Sequence, residues 1–222
     1  MMEKIIICIG RQYGCGGRKI AKMLAEDFGC KLYDKEILNL AAKESGFSEK
    51  FFEQNDEKRG FIKSLFQNHG RNVLTDSFYR NHFSQDSLFL FQSEAISKAA
   101  EAESCVFVGR CADYVLRNNS NVVNIFITAD MEDRISAVMM RHECSRENAL
   151  KIINSRESSR ASYYNYYTGK KWGHAESYDL CVNTSVLGLE ETEEFIKNFI
   201  LKRIPANNKK QEARGKKQEN SL

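Results

Sequence analysis

The chain has 222 residues, of which 42% are hydrophobic, and this is typical of one substantial globular domain. No stretch approaches the ~20 consecutive apolar residues of a membrane-spanning helix, and the N-terminus lacks the apolar region of a signal peptide, so we expect a cytoplasmic protein without membrane contact. The formal net charge is +3, and the segment after Pro205 accounts for all of it, with five basic and two acidic residues. The rest of the chain is therefore near neutral, and nucleic-acid binding is not expected.

The first predicted element is a buried strand, Ile5 to Ile9, which runs into a glycine-rich loop. The loop reads Gly10-Arg11-Gln12-Tyr13-Gly14-Cys15-Gly16-Gly17-Arg18, and a helical apolar pattern begins at Ile20. In this order the backbone N–H groups of the loop converge at a helix N-terminus, which favours phosphate. A tight turn alone would not require four glycines in eight positions, so we predict phosphate binding.

The loop departs from the usual phosphate-loop pattern, G-x-x-x-x-G-K-[ST]. Gly17 and Arg18 follow Gly16, and Lys19 comes one position later. The pattern therefore predicts phosphate binding and leaves phosphate transfer open.

Four further short apolar runs alternate with helical patterns, which predicts a parallel sheet of five strands in an α/β fold. These runs are Lys31 to Tyr33, Cys105 to Val108, Val122 to Thr128 and Leu180 to Asn183. Helices are predicted after Asp34 and over Ser84 to Glu103, Met131 to His142, Ser145 to Tyr167 and Glu190 to Arg203.

Three segments have separate predicted roles. Residues 46–83 are rich in aromatic and charged residues and too long for a plain loop, so we expect a helical insertion over the site. Residues 145–175 form the candidate lid, and residues 205–222 are predicted to be a disordered basic tail after a domain that covers 1–204.

The seven cysteines form no Cys-x-x-Cys pair. Cys8, Cys105 and Cys181 lie in or beside predicted strands and are interpreted as reduced core residues. Cys15 and Cys111 lie in probable site loops, where a small filler is favoured over a reactive thiol. The four histidines lack metal-ligand spacing, so no protein metal site is predicted.

Arginines are the candidate groups for phosphate chemistry, which needs positive charge around the transferred group. Arg156 and Arg160 are four residues apart on one predicted helix face, and Arg134 and Arg141 are seven apart on the preceding helix. Surface ion pairing is the alternative for each of these arginines.

The edge at which parallel strands end is the expected place for a ligand. Arg110 and Asp113 follow the strand Cys105 to Val108, and Asp34 follows the strand Lys31 to Tyr33. Arg110 is a candidate to bind the phosphate or the base of a nucleotide that accepts a phosphoryl group. Helix capping is the alternative for both aspartates.

These motifs together resemble the cytidylate kinase-like proteins, relatives of the nucleoside monophosphate kinases. The resembling pieces are the glycine loop, Leu32 to Ile37, Val108 to Tyr114, and the stretch from Arg156 through Tyr163-Tyr164, Thr168-Gly169 and Trp172-Gly173 to Leu180. They extend over nearly the whole chain up to Gly188.

The resemblance implies a three-layer α/β/α phosphate-loop fold with a helical insertion for the nucleoside monophosphate and a helical lid. It implies donor-phosphate binding by the residues Gly14, Cys15, Gly16, Gly17, Arg18, Lys19 and Arg134, with Arg141 near the donor base or the lid. It also implies acceptor binding by Asp34, Arg110 and Asp113, and catalysis by Arg18, Arg156 and Arg160.

Three functions are compatible with these residues. The first is phosphoryl transfer from ATP, with Mg²⁺, to a nucleoside monophosphate, for which CMP or dCMP is the expected acceptor. The second is transfer to another small acceptor, and the third is nucleotide sensing without turnover, which the missing loop lysine favours. Two arginines aligned on a lid helix favour an enzyme, and a homodimer is left open.

Overall fold

The computed structural model describes residues 4–34 and 75–219. The described elements are β1 (Ile6–Arg11), α1 (Gly17–Asp27), β2 (Lys31–Tyr33), α2 (Thr75–Ala102), β3 (Cys105–Val108), α3 (Ala112–Val115), β4 (Val122–Thr128), α4 (Met131–His142), α5 (Arg146–Thr168), a 3₁₀ turn (Ala175–Ser177), β5 (Leu180–Asn183) and α6 (Thr184–Glu219). All five predicted strands are confirmed.

The five strands form one parallel sheet in the order β2-β3-β1-β4-β5. The central strand β1 lies between β3 and β4, and the glycine loop leaves its carboxyl end. Because the strands are parallel, the carboxyl ends of β2 and β3 reach the same edge as this loop. The topology therefore brings Asp34, Arg110 and the loop to one edge of the sheet.

Helices cover both faces of the sheet, because alternate residues of its strands are buried on opposite sides. Ile7 and Ile9 belong to one core cluster with Ile20 and Leu24 of α1 and Ile196 of α6. The other cluster contains Ile6, Cys8, Tyr33, Ile96, Phe107 and Leu116. Each fully buried aliphatic side chain of this kind contributes about 1.5–3 kcal/mol. The result is the predicted three-layer α/β/α architecture.

A third, smaller cluster joins α4 to α5. It contains Ile135 and Val138 of α4 and Ala149 and Ile153 of α5. The bounds of α5 follow from its caps, since Ser145 accepts a hydrogen bond from the Asn148 N–H and Gly169 ends the helix at φ 67°. This confirms the helix predicted over Ser145 to Tyr167.

Two predicted helix boundaries differ from the structure. The last helix begins at Thr184, is interrupted at Gly188 (φ 80°, ψ 179°) and continues to Glu219, whereas disorder is predicted from residue 205. Residues 206–219 are rich in alanine, lysine, glutamine and glutamate, which are good helix formers and extend the helix that packs on the sheet. Likewise, α2 begins at Thr75 and not at Ser84.

The interpretation of Cys181 as a core residue is wrong, because β5 is an edge strand and this thiol is exposed. The helix predicted after Asp34 and residues 46–74 of the predicted insertion lie outside the described residues. Among the helices that the structure describes, none is long and apolar enough to cross a membrane.

Candidate functional site

A cleft of about 910 Å³ opens at the carboxyl edge of the sheet. The glycine loop, the turn after β3, helix α5 and the segment that follows it form its walls. Its basic lining residues are Arg11, Arg18, Lys19, Arg110, Arg141, Arg156 and Arg160. Two carboxylates, Asp34 and Asp113, also line it. Among the described residues, positive charge therefore dominates the cleft, as an anionic ligand requires.

The glycine loop is shaped by two glycines that no other residue could replace without strain. Gly14 has φ 90°, and a Cβ there would lie 2.8 Å from the Arg134 carbonyl oxygen. Gly16 has φ 76°, and its Cβ would lie 2.4 Å from Leu189 Cδ2. Gly16 is also the N-cap of α1, so the loop ends at a helix N-terminus that faces the cleft.

Arg18 lies in the cleft and forms an ion pair with Asp34. The Arg18 side chain is 70% exposed, whereas that of Asp34 is 9% exposed. The ion pair thus joins Arg18, which is predicted to bind the donor phosphates, to Asp34, which is predicted to bind the acceptor nucleotide. Part of the charge of Arg18 is balanced by this carboxylate.

Cys15 is buried, and its side chain does not line the cleft. Its Sγ donates to the Gln12 carbonyl at 3.2 Å and to the Ile127 carbonyl at 3.4 Å. Burial raises the pKa of the Cys15 thiol and raises that of Cys111 to about 12. Both thiols therefore stay protonated at neutral pH, as the filler interpretation predicts.

The turn after β3 has an uncommon backbone. Gly109, Arg110 and Cys111 have φ values of 76°, 61° and 56°, which place three consecutive residues in the left-handed region. This turn lifts the Arg110 guanidinium over the Tyr163 ring, 4.8 Å from its centroid. Backbone strain of this kind is typical of ligand sites.

Tyrosines of α5 form the wall opposite the glycine loop. The Tyr164 hydroxyl donates to Asp113 Oδ2 at 2.6 Å, and the Tyr163 hydroxyl donates to Gln92 Oε1 at 3.2 Å. Burial raises the pKa of the Asp113 carboxyl, while the bond from Tyr164 opposes that shift. Asp113 lies in the first turn of α3, after the N-cap residue Cys111, and also lines the cleft.

The candidate lid helix α5 contacts the glycine loop directly. Arg160 Nη1 donates to the Arg11 carbonyl at 2.8 Å, and the Arg160 guanidinium lies 5.3 Å from the centroid of the Tyr13 ring. Arg141 of α4 lies 6.0 Å from the same centroid. Arg156 is exposed and lines the cleft one turn before Arg160.

Arg134 differs from the other arginines because it is buried and does not line the cleft. Its Nη1 donates to Glu157 Oε1 at 2.6 Å, and the same oxygen accepts the Tyr13 backbone N–H at 3.1 Å. The geometry supports a structural role in place of the predicted phosphate contact. Arg134 and Glu157 join α4, α5 and the glycine loop.

Trp172 lies in the cleft wall, where its ring meets that of Phe126 edge to face at 5.3 Å. Its backbone N–H donates to Asn165 Oδ1 at 2.7 Å. Trp172 therefore packs against Phe126 of β4.

A resident metal ion does not fit the described part of the site. It holds no group of three or more histidine, cysteine, aspartate or glutamate side chains suited to a metal. Asp34 is ion-paired and Asp113 accepts from Tyr164. A second hollow of about 300 Å³ is lined by four glutamates of α6 and one lysine, which disfavours phosphate there.

The family follows from comparison with known proteins. The model of the cytidylate kinase-like family matches residues 6–186. The chain belongs to this family. This confirms the resemblance.

Individual relatives of this cytidylate kinase-like protein agree with that assignment. A cytidylate kinase from Ignicoccus hospitalis is 35% identical over 79 residues, which cover 36% of this chain and about half (46%) of the relative. The crystal structure of an uncharacterized protein from Eubacterium ventriosum has a TM-score of 0.69 at 30% identity, with 89% of this chain and 98% of that chain covered. TT1252 from Thermus thermophilus shares the fold, with a TM-score of 0.50 at 16% identity, and the match covers 90% of this chain and 98% of that chain.

Two residues of the site are not assigned from the sequence. Arg11 directly follows Gly10 at the end of the central strand, a position that could have identified it as a cleft residue. Glu157 lies between Arg156 and Arg160. A single carboxylate beside arginines on a helix is the signal that could have identified it as an ion-pair partner.

Proposed function

We propose that this protein transfers the γ-phosphoryl group of ATP to a nucleoside monophosphate, with CMP or dCMP as the preferred acceptor. The observation that carries the proposal is the convergence of seven basic side chains on one cleft from the glycine loop, the first turn of α1, the β3 turn, α4 and α5. Transfer between two phosphate-bearing ligands needs such charge on both sides of the transferred group. The volume of about 910 Å³ supports binding of two nucleotides.

Each wall has a role in this proposal. Gly14, Gly16, Gly17 and Lys19 bind the donor phosphates at the N-terminus of α1, with Cys15 contributing backbone only. Arg110, Asp113 and Asp34 face the acceptor, and Tyr163 supports Arg110. Arg156 and Arg160 approach from α5 and bridge the two ligands, while Arg18 neutralises phosphate from the mouth of the cleft.

The reaction proceeds by in-line displacement. An oxygen of the acceptor phosphate attacks the γ-phosphorus, the bond from that phosphorus to the β-bridging oxygen breaks, and ADP leaves as the nucleoside diphosphate forms. Mg²⁺ enters as the Mg·ATP substrate, since the described residues hold no cluster for a resident ion. The protein supplies alignment and positive charge.

The test is ADP formation by the purified full chain from ATP and Mg²⁺. CMP, dCMP, UMP, AMP and GMP are compared with a reaction that lacks acceptor, and phosphorus NMR identifies the product. We expect turnover with CMP or dCMP at least ten times that with the purine nucleotides. Turnover that is independent of these acceptors would contradict the proposal.

Variants of α5 separate catalysis from binding. Arg156→Ala should lower kcat by about 100-fold and change ATP affinity by no more than about threefold, if Arg156 acts on the transition state. Lys151→Ala is the matched control, because Lys151 lies on the same helix in an exposed pair with Glu147. Equal loss of ATP affinity and kcat in Arg156→Ala would contradict this role.

Nucleotide sensing without turnover is the second candidate. It is favoured by Gly17 at the position of the loop lysine and by the pairing of Arg18 with Asp34. ATP binding in the absence of turnover with any acceptor would support it.

A further inference from the structure

Arg11 has a position that separates it from the other arginines of the cleft. It is the last residue of β1, and its side chain crosses the floor of the cleft between the glycine loop and the turn after β3. A Cβ at Gly17 would lie 2.8 Å from Arg11 Cβ, and a Cβ at Gly109 would lie 2.4 Å from Arg11 Nη1. The side chain thus extends from Gly17, on the donor side, to Gly109, beside Arg110 on the acceptor side.

Among the ion pairs of residues 4–34, 86 and 88–203, none joins the Arg11 guanidinium to a carboxylate. Its charged neighbours include Arg160, Arg110 and Arg18. Burial, with a smaller effect from Arg160, lowers the pKa of Arg11 to about 9, so the group is still charged at neutral pH. A cation held among cations gains more from a phosphate than one that is already paired.

Arg18 is the alternative source of the missing lysine charge. Its side chain is 70% exposed and pairs with Asp34, and Arg18 lies in the first turn of α1. Arg11, in contrast, lies under the loop at Gly17, which takes the place of the lysine. The two arginines therefore differ in both depth and pairing.

We infer that Arg11 binds the phosphoryl group in transfer and takes the place of the loop lysine. This inference rests on the proposed function. Arg11 stabilises charge on the equatorial oxygens while the acceptor oxygen bonds to the γ-phosphorus and the bond to the ADP oxygen breaks. Gly17 and Gly109 are then required because side chains there would displace the Arg11 side chain.

The first test measures affinity by calorimetry for ATP, ADP and AMP, and kcat, for Arg11→Gln, Arg18→Gln and Arg117→Gln. Arg117 is an exposed arginine outside the cleft and controls for loss of one charge. We expect Arg11→Gln to lower ATP affinity at least tenfold and kcat at least 100-fold, with AMP affinity within threefold of the parent protein. A larger loss of ATP affinity in Arg18→Gln, or an equal loss for ATP and AMP in Arg11→Gln, would overturn the inference.

A second test uses one variant that displaces the Arg11 guanidinium without removing it and one control variant that leaves it in place. Gly109→Ala and Gly29→Ala both place alanine at a positive φ (76° and 59°), but only the first meets Arg11, since nothing lies within 4 Å of a Cβ at Gly29. We expect Gly109→Ala to lower kcat at least tenfold and Gly29→Ala to leave it unchanged. Equal kcat in the two variants would contradict the inference.

Unfolding in urea without nucleotide distinguishes a ligand-binding role from a structural one. Arg11→Gln should unfold at the same or a higher urea concentration than the parent, because it removes a charge that no described carboxylate balances. A lower midpoint would indicate a structural role. If the parent protein binds ATP but transfers nothing, the proposed function fails, and the ATP and AMP affinities of Arg11→Gln still decide the inference.

Discussion

Arg134 and Arg141 lie on one helix seven residues apart, yet their surroundings give them different roles. Arg134 is buried with Glu157, whereas Arg141 is exposed and approaches the Tyr13 ring. Helical spacing places two side chains on a face, but burial decides which of them remains available to a ligand. The same reasoning separates Arg11 from Arg18 in the cleft.

The buried pair of Arg134 and Glu157 should contribute strongly to stability. Their side chains are 5% and 19% exposed, so Arg134→Leu leaves a nearly buried carboxylate without its cation. We expect the free energy of unfolding to fall by about 3–5 kcal/mol, measured by urea denaturation. Arg146→Leu is the control, because the Arg146–Glu132 pair is exposed and its loss should cost less than about 1 kcal/mol. Similar losses in the two variants would contradict this account.

Asp113 should make the protein less stable as pH rises from about 4. Burial raises its pKa above the ordinary value of 3.8, so the folded state holds the proton more tightly than the unfolded state. Stability from this group is present below pH 3.8 and is lost as pH rises through the folded pKa. Asp113→Asn keeps an oxygen that can accept from Tyr164 and should lessen the decrease in unfolding free energy as pH rises above about 4. An unchanged pH dependence in urea denaturation would contradict the prediction.

At the scale of elements, α6 supports the glycine loop from below. The Thr184 hydroxyl donates to the Cys15 carbonyl at 3.0 Å and is shared with the Thr128 carbonyl at 3.2 Å. Leu189 packs against Gly16. The start of this helix therefore holds the loop in position relative to β4.

Thr184→Val should impair ATP binding by the glycine loop more than it lowers the stability of the fold. The variant keeps the shape of the side chain and removes the bond to Cys15, so we expect the KM for ATP to rise about threefold to tenfold. Thr192→Val is the control on the same helix, because the buried Thr192 hydroxyl donates to the Gly188 carbonyl away from the loop. Steady-state kinetics should show little change in KM for Thr192→Val, and equal effects would exclude a specific role for Thr184.

The elements of this fold could be predicted because each has a local signal. Periodicity alone predicts Met131–His142 correctly, and Ser145 and Gly169 mark the bounds of α5. The contacts within the cleft could not be predicted in this way. Glu157 meets the Tyr13 N–H across 144 positions of sequence, and the Arg11 side chain lies against Gly109 only because β1 and β3 are neighbours. Partner choice among many arginines is a tertiary property.

At the scale of the whole molecule, positive charge is concentrated in the cleft although the net charge of the chain is small. The net charge is only +3, yet seven basic side chains and two carboxylates line the cleft. Opposite charges elsewhere on the surface balance this concentration. The field in the cleft therefore acts at short range and depends on the concentration of salt.

ATP binding should consequently weaken steeply with salt. The Debye length falls from about 10 Å at 0.1 M salt to about 3 Å at 1 M, so added KCl screens the exposed arginines of the cleft before it affects buried Arg11. With Mg²⁺ constant, we expect the Kd for ATP to rise about tenfold between 50 mM and 500 mM KCl, measured by calorimetry, and that for adenosine to change less than twofold. Arg156→Gln should reduce the slope, because Arg156 is exposed on the cleft wall. Equal salt dependence for ATP and adenosine would show that the charge concentrated in the cleft does not drive nucleotide binding.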